Sequence, residues 1–140
     1  MPIASRVNSM AGVIEVTATG RLSRSHLEDA LAAVYAEREG VLPSSYLWDL
    51  REATIEWSTD QVREFVHWVL GNRPERESRS AIVTSTDLQF GLARMYEALT
   101  YELPVNVMVF REMDAARHWL AEARKSANAP HPRPAAGQGT

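Results

Sequence analysis

Cysteine is absent from all 140 residues, which removes disulfides, thiolate nucleophiles and cysteine-ligated zinc or iron–sulfur sites together. A cysteine-free chain fits a cytoplasmic setting. Long apolar runs are missing too. No stretch approaches the ~20 residues of a membrane span, and the N-terminal region lacks a basic start followed by an apolar stretch of secretory length. The chain is therefore expected neither to span a membrane nor to be exported. Cationic excess is also lacking, since 15 Lys and Arg stand against 18 Asp and Glu for a formal net charge of −3. Phosphate neutralisation needs clustered Lys and Arg, so nucleic acid is not an expected partner.

The motifs of common chemistries are missing as well. There is no G-x-S-x-G elbow and no H-E-x-x-H, and His26, His67, His118 and His131 lie on separate elements with no second ligand recognised at helical spacing. "GNRPER" and "FGLAR" hold too few glycines to cradle a phosphate. No catalytic residue, metal or cofactor is expected.

What is present reads as one ordinary globular domain. Apolar residues make up 45% and charged residues 24%, and a chain of this length buries about two-thirds of the surface its unfolded form exposes. "VIEVTATG" from Val13 puts Ile14, Val16 and Ala18 on one side and Glu15, Thr17 and Thr19 on the other, the period of a half-buried strand ending at Gly20. "PIASRVN" could pair with it as an edge strand through the turn-like "NSMAG". Ser23 is a plausible N-cap for a helix carrying Leu27, Leu31, Val34 and Tyr35 up to Gly40.

"SYLWDL" is a short second strand with Asp49 near its end, and Ser58 caps a helix whose buried stripe is Val62, Phe65, Val66 and Val69. "SAIVTS" leads to a helix with Leu88, Leu92, Met95, Tyr96 and Leu99 on one face. "VNVMVF" leads to a final helix with Ala116, Trp119, Leu120 and Ala123 inward. Strands are expected near 13–19, 46–50, 80–85 and 105–110. The Pro-, Ala- and Gly-rich segment 126–140 has too little apolar content to pack and is expected to be a disordered tail. Alternating apolar strands and amphipathic helices predict a single α/β domain over 1–125. It should hold a mixed, mostly parallel sheet of four to five strands flanked by about four helices.

Residues 12 to about 123 resemble the SpoIIAA-like proteins, a STAS-like group that shares its fold with the CRAL-TRIO lipid carriers, and within it a subfamily of small bacterial proteins of unknown function. The likeness rests on "GRLS" at 20–23, "LWDLR" at 47–51, "AIV" with "FGLARMY" between 81 and 96, and "VFR" followed by A-x-x-W-L between 109 and 120. In anti-sigma-factor antagonists of the STAS family an Asp-Ser pair opens the second helix and the Ser is phosphorylated. By spacing, Ser58 matches that Ser, while Trp57 stands where the pattern has Asp.

The resemblance implies a non-catalytic interaction or regulatory module with a protein partner; its CRAL-TRIO side implies, alternatively, a carrier of a small apolar ligand or lipid. An enzyme using Asp49 with Ser85 or Asp87 at the strand ends is a third reading. From the residues alone, Asp49 either faces a strand-end crevice or pairs with Arg51, and Ser58 either caps its helix or also accepts a phosphate there. Trp57 and Trp68 are the two tryptophans expected to be free of the core. On the third helix Phe90, Arg94, Glu97 and Tyr101 lie opposite the expected core stripe. With Trp68 they form a candidate homodimer or partner surface.

Overall fold

The computed structural model describes residues 3–8, 13–37, 45–72, 78–101 and 105–128. Residues 9–12 of the expected turn, Gly40, residues 73–77, Pro104 and the tail from 129 onward lie outside them. The order is β1 (Ile3–Asn8), β2 (Val13–Arg21), α1 (Arg24–Glu37), β3 (Ser45–Thr54), α2 (Thr59–Asn72), β4 (Ser78–Val83), α3 (Asp87–Leu99), β5 (Val105–Phe110) and α4 (Met113–Asn128). α4 runs past Ser126, where the tail was expected to begin.

The five strands form one sheet in sequence order, β1-β2-β3-β4-β5. β1 is antiparallel to β2, and β2 to β5 are mutually parallel. A right-handed crossover that always steps to the next strand in the same direction leaves every connecting helix on one face. The packing agrees. Leu27, Leu31 and Val34 of α1 and Phe65 and Val69 of α2 share a core with Ile14, Val16, Tyr46, Trp48, Ile82, Val107 and Val109, and α3 residues pack against it. The other face belongs to α4, whose Ala116 and Leu120 pack on Val13, Leu47, Ala81 and Val83. Side chains alternate across each strand, so this two-sided burial explains the unbroken apolar runs Tyr46–Trp48 in β3 and Ala81–Val83 in β4. Each fully buried Leu, Val or Ile contributes about 1.5–3 kcal/mol relative to an exposed one.

Two local features shape the carboxyl side of the sheet. The β2–β3 register slips between Thr17 and Thr19, which face Asp49 and Glu52 respectively. One extra β3 residue is therefore accommodated, leaving Arg51 and Glu52 exposed while Leu50 and Ala53 are buried. Gly20, with φ of +78°, occupies a backbone region that costs a glycine little and other residues more.

β3 thus continues to Thr54, so Asp49 lies mid-strand and not near the strand's end as expected. The expected core stripe of α3 needs a larger correction. Leu88 is 70% exposed, and the buried residue of the helix is Gln89. The helix turns Gln89, Ala93 and Tyr96 toward the core, and of the expected stripe Leu92 and Tyr96 pack there while Leu88 is left on the solvent flank.

Candidate functional site

The backbone leaves β3 through residues 55–58 and enters α2 at Ser58. Ser58 Oγ accepts the Gln61 N–H at 3.2 Å, and Gln61 Oε1 accepts the Ser58 N–H at 2.8 Å. This reciprocal capping box satisfies two donors that a helix start would otherwise leave free. Ser58 is exposed. Asp60 adds an acidic group to the first turn, which the helix dipole favours.

The approach to Ser58 is held from both sides. Gln89 of α3 accepts the Ile55 N–H and donates to the Ile55 carbonyl, each at 3.0 Å, with both residues buried. Trp57 Nε1 donates to the Leu22 carbonyl at 3.3 Å, and the Trp57 ring meets Phe65 edge-on at 5.4 Å. Trp68 is stacked between Tyr35 and Phe65 at 6.4 and 6.3 Å. Both tryptophans expected to be free are therefore packed against the core. Phe65 also meets Tyr96, whose burial raises its pKa and keeps it neutral.

Asp49 belongs to the opposite layer, on the strand side that carries Leu47 toward α4. It accepts Arg51 Nε at 2.8 Å, Arg51 Nη2 at 2.9 Å and the Arg51 N–H at 3.2 Å. The Arg51 hydrogen bond holds the Asp49 carboxyl below its ordinary range against the opposing effect of partial burial. Ser85 Oγ donates to the Arg51 carbonyl at 2.7 Å. A crevice of about 90 Å³ opens beside these groups, lined by Thr17, Ala18, Thr19, Asp49, Arg51 and Glu52. Pockets for drug-sized ligands run from roughly 300 Å³. The strands also follow one another without the order reversal that places a ligand crevice in doubly wound sheets.

The structure thus brings Asp49, Arg51 and Ser85 together and keeps Ser58 in the other layer. Asp87 pairs with Arg111 at 2.7 Å. Arg111 lies 4.3 Å from the centre of the Phe90 ring, and Arg94 lies 5.9 Å from it while pairing with Glu97 at 3.0 Å. Phe90, expected to face outward, is half-buried against the core, whereas Tyr101 is 84% exposed.

Three features escaped the sequence reading. Glu15, 8% exposed, accepts Arg117 Nη1 of α4 at 2.7 Å. Its place among Thr17 and Thr19 on the polar side of β2 gave no sign that α4 would reach it. His118 and Glu122, one helical turn apart on α4, approach to 3.8 Å, an i, i+4 spacing that the sequence itself carries. Gln89 reads as an ordinary polar helix residue, and nothing local marks it.

No protein-family model and no curated protein matches the sequence. Among solved structures, an uncharacterised protein of the DUF3478 family with a SpoIIAA-like fold, from Shewanella loihica PV-4, is similar with a TM-score of 0.57 at 19% identity. The match covers 84% of this chain and 93% of that one. An anti-sigma factor antagonist from Mycobacterium paratuberculosis is similar with a TM-score of 0.56 at 17% identity, with the same coverage. The chain is a single α/β domain with the SpoIIAA-like fold.

Proposed function

We propose that this chain is a non-catalytic binding module of the bacterial cytoplasm whose partner-facing surface is the exposed start of α2, with negative charge at Ser58 as the control. The observation that carries the reading is the position of Ser58, solvent-exposed at the N-terminus of a 14-residue helix. A phosphate on Ser58 would meet free helix N–H donors and the positive end of the helix dipole, so the modified state is accommodated without rearranging the fold. The likeness to an anti-sigma factor antagonist supports a protein as the partner.

Trp57, in place of the Asp of the resembling pattern, is held by the Leu22 carbonyl and Phe65 and gives this helix start an apolar neighbour. That favours a partner presenting an apolar side chain beside its polar contact. The carboxylates Glu15, Asp49 and Asp87 are each paired with an arginine, which supports binding over acid–base chemistry. The aromatic contacts that fill the layer between α1, α2 and the sheet support a packed core over a ligand-holding one.

Phosphosite mapping of the endogenous chain across growth phases tests the control. The expected result is phosphate on Ser58. A chain with phosphate elsewhere, or with none in any phase, overturns the switch.

A further inference from the structure

The sheet ends at β5, which among the described residues has a strand neighbour on one side only. Native edge strands are ordinarily blunted by a charge, a proline or a bulge. "VNVMVF" has no proline and no charged residue, and its register with β4 is unbroken from Val105 to Phe110. The Phe110 carbonyl accepts the Thr84 N–H at 3.0 Å, so Phe110 directs its backbone groups toward β4. Backbone groups alternate along a strand. Asn106, Met108 and Phe110 therefore face β4, and Val105, Val107 and Val109 present their N–H and C=O groups outward.

We infer that a second copy of this chain occupies that edge, its β5 running antiparallel to the first about a two-fold axis at Val107. That axis sets Val107 opposite Val107, and Val105 opposite Val109. Each of these pairs exchanges two bonds, about six in all, so every outward backbone group of β5 is satisfied. No other centre in the strand matches all three valines with one another.

The flanks suit the same axis. Asp87 and Phe90 both contact Arg111, which directly follows β5, whereas Gln89 and Tyr96 face the α2 side. At 100° per residue Phe90, Arg94, Glu97 and Tyr101 therefore lie along the β5 side of α3. An antiparallel pair keeps both α3 helices on one face of the joined sheet. The two α3 flanks then cross near their middles, so Arg94 can exchange its carboxylate for the partner's Glu97, and the exposed Tyr101 lies toward the Phe90 end of the partner's helix. This self-complementary charge favours a second copy over an unrelated protein. Strand pairing alone falls short of the roughly 1,000 Å² of a specific interface, and these helix flanks supply the remainder.

The inference deepens the binding-module reading by naming one partner, and its test does not involve Ser58. Because the chain has no cysteine, introduced thiols report without background. The proposed axis sets Asn106 opposite Met108 of the second copy as a non-hydrogen-bonded pair, with Cα atoms about 4.5 Å apart, within disulfide range. Like residues are offset diagonally, roughly 7–8 Å apart. The expected results are sedimentation of the wild type as a dimer, rapid covalent dimerisation of the Asn106→Cys, Met108→Cys double variant, and little by either single variant. Both sites are exposed. Asn106→Lys with Met108→Lys should fold normally and dimerise at least about tenfold more weakly. A wild type that stays monomeric at high micromolar concentration overturns the pairing, even if Ser58 still controls another partner. Single variants that cross-link as fast as the double variant overturn the register. A chain ending at Asn128 that dimerises when the full chain does not assigns the edge to the tail and overturns the second copy.

Discussion

Ser58 donates through its backbone and accepts through its hydroxyl at one helix start, so removing the hydroxyl has a cost independent of any partner. Ser58→Ala should lose about 1 kcal/mol in urea unfolding. Ser58→Asp should retain the cap, which separates a charge effect from a stability effect. Thr84 predicts the opposite sign. Its hydroxyl is buried and has no hydrogen-bond partner among the described residues, and an unmet buried hydroxyl costs on the order of 1 kcal/mol. Thr84→Val should therefore raise the urea midpoint. Asp49 gives a pH signature. Its pKa is lowered in the folded chain, so its contribution is present above the unfolded value of about 3.9 and is lost as pH falls through the lower folded value. Asp49→Asn should remove that part of the acid sensitivity, seen as a flatter dependence of stability on pH below about 4.

At the scale of elements, α2 was fully legible because one helix face meets one core. Val62, Phe65, Val66 and Val69 recur at helical spacing, and all four are buried. α3 was not, because it lies at the border of its layer. Its buried face is narrow and includes a glutamine, while Leu88 sits on the solvent flank. A period of 3.6 finds the leucine row but cannot show that Gln89 answers two backbone groups 34 residues away. Gln89→Leu would leave the Ile55 N–H and C=O buried and unpaired, at about 2–4 kcal/mol. Hydrogen exchange should report it locally, with the Ile55 amide losing more protection than the amides of β4. Equal loss everywhere would contradict the idea that Gln89 ties the β3–α2 connection to α3. Asp49 was misplaced for a similar reason. The register slip that lengthens β3 arises between strands and leaves no local mark in "LWDLREAT".

For the whole molecule, the alternation of apolar strands and amphipathic helices was enough to predict the α/β class and the mostly parallel sheet, while the SpoIIAA-like resemblance rested on particular stretches such as "LWDLR" and "FGLARMY". What it left open was which face each helix covers. A strand order that never reverses sends α1 to α3 to one side, α4 after the last strand covers the other, and this separation divides the expected site residues between two layers. The helix layer, with its exposed Ser58 start, is then the side that meets a partner in the proposed function. The most direct measurement is quantitative affinity capture from the source cells with wild-type, Ser58→Ala and Ser58→Asp chains as baits, each shown to be folded. The expected result is a protein held by the wild type and by Ser58→Ala and reduced at least about tenfold, or ~1.4 kcal/mol, by Ser58→Asp. The same captured proteins in the same amounts on all three baits would contradict it.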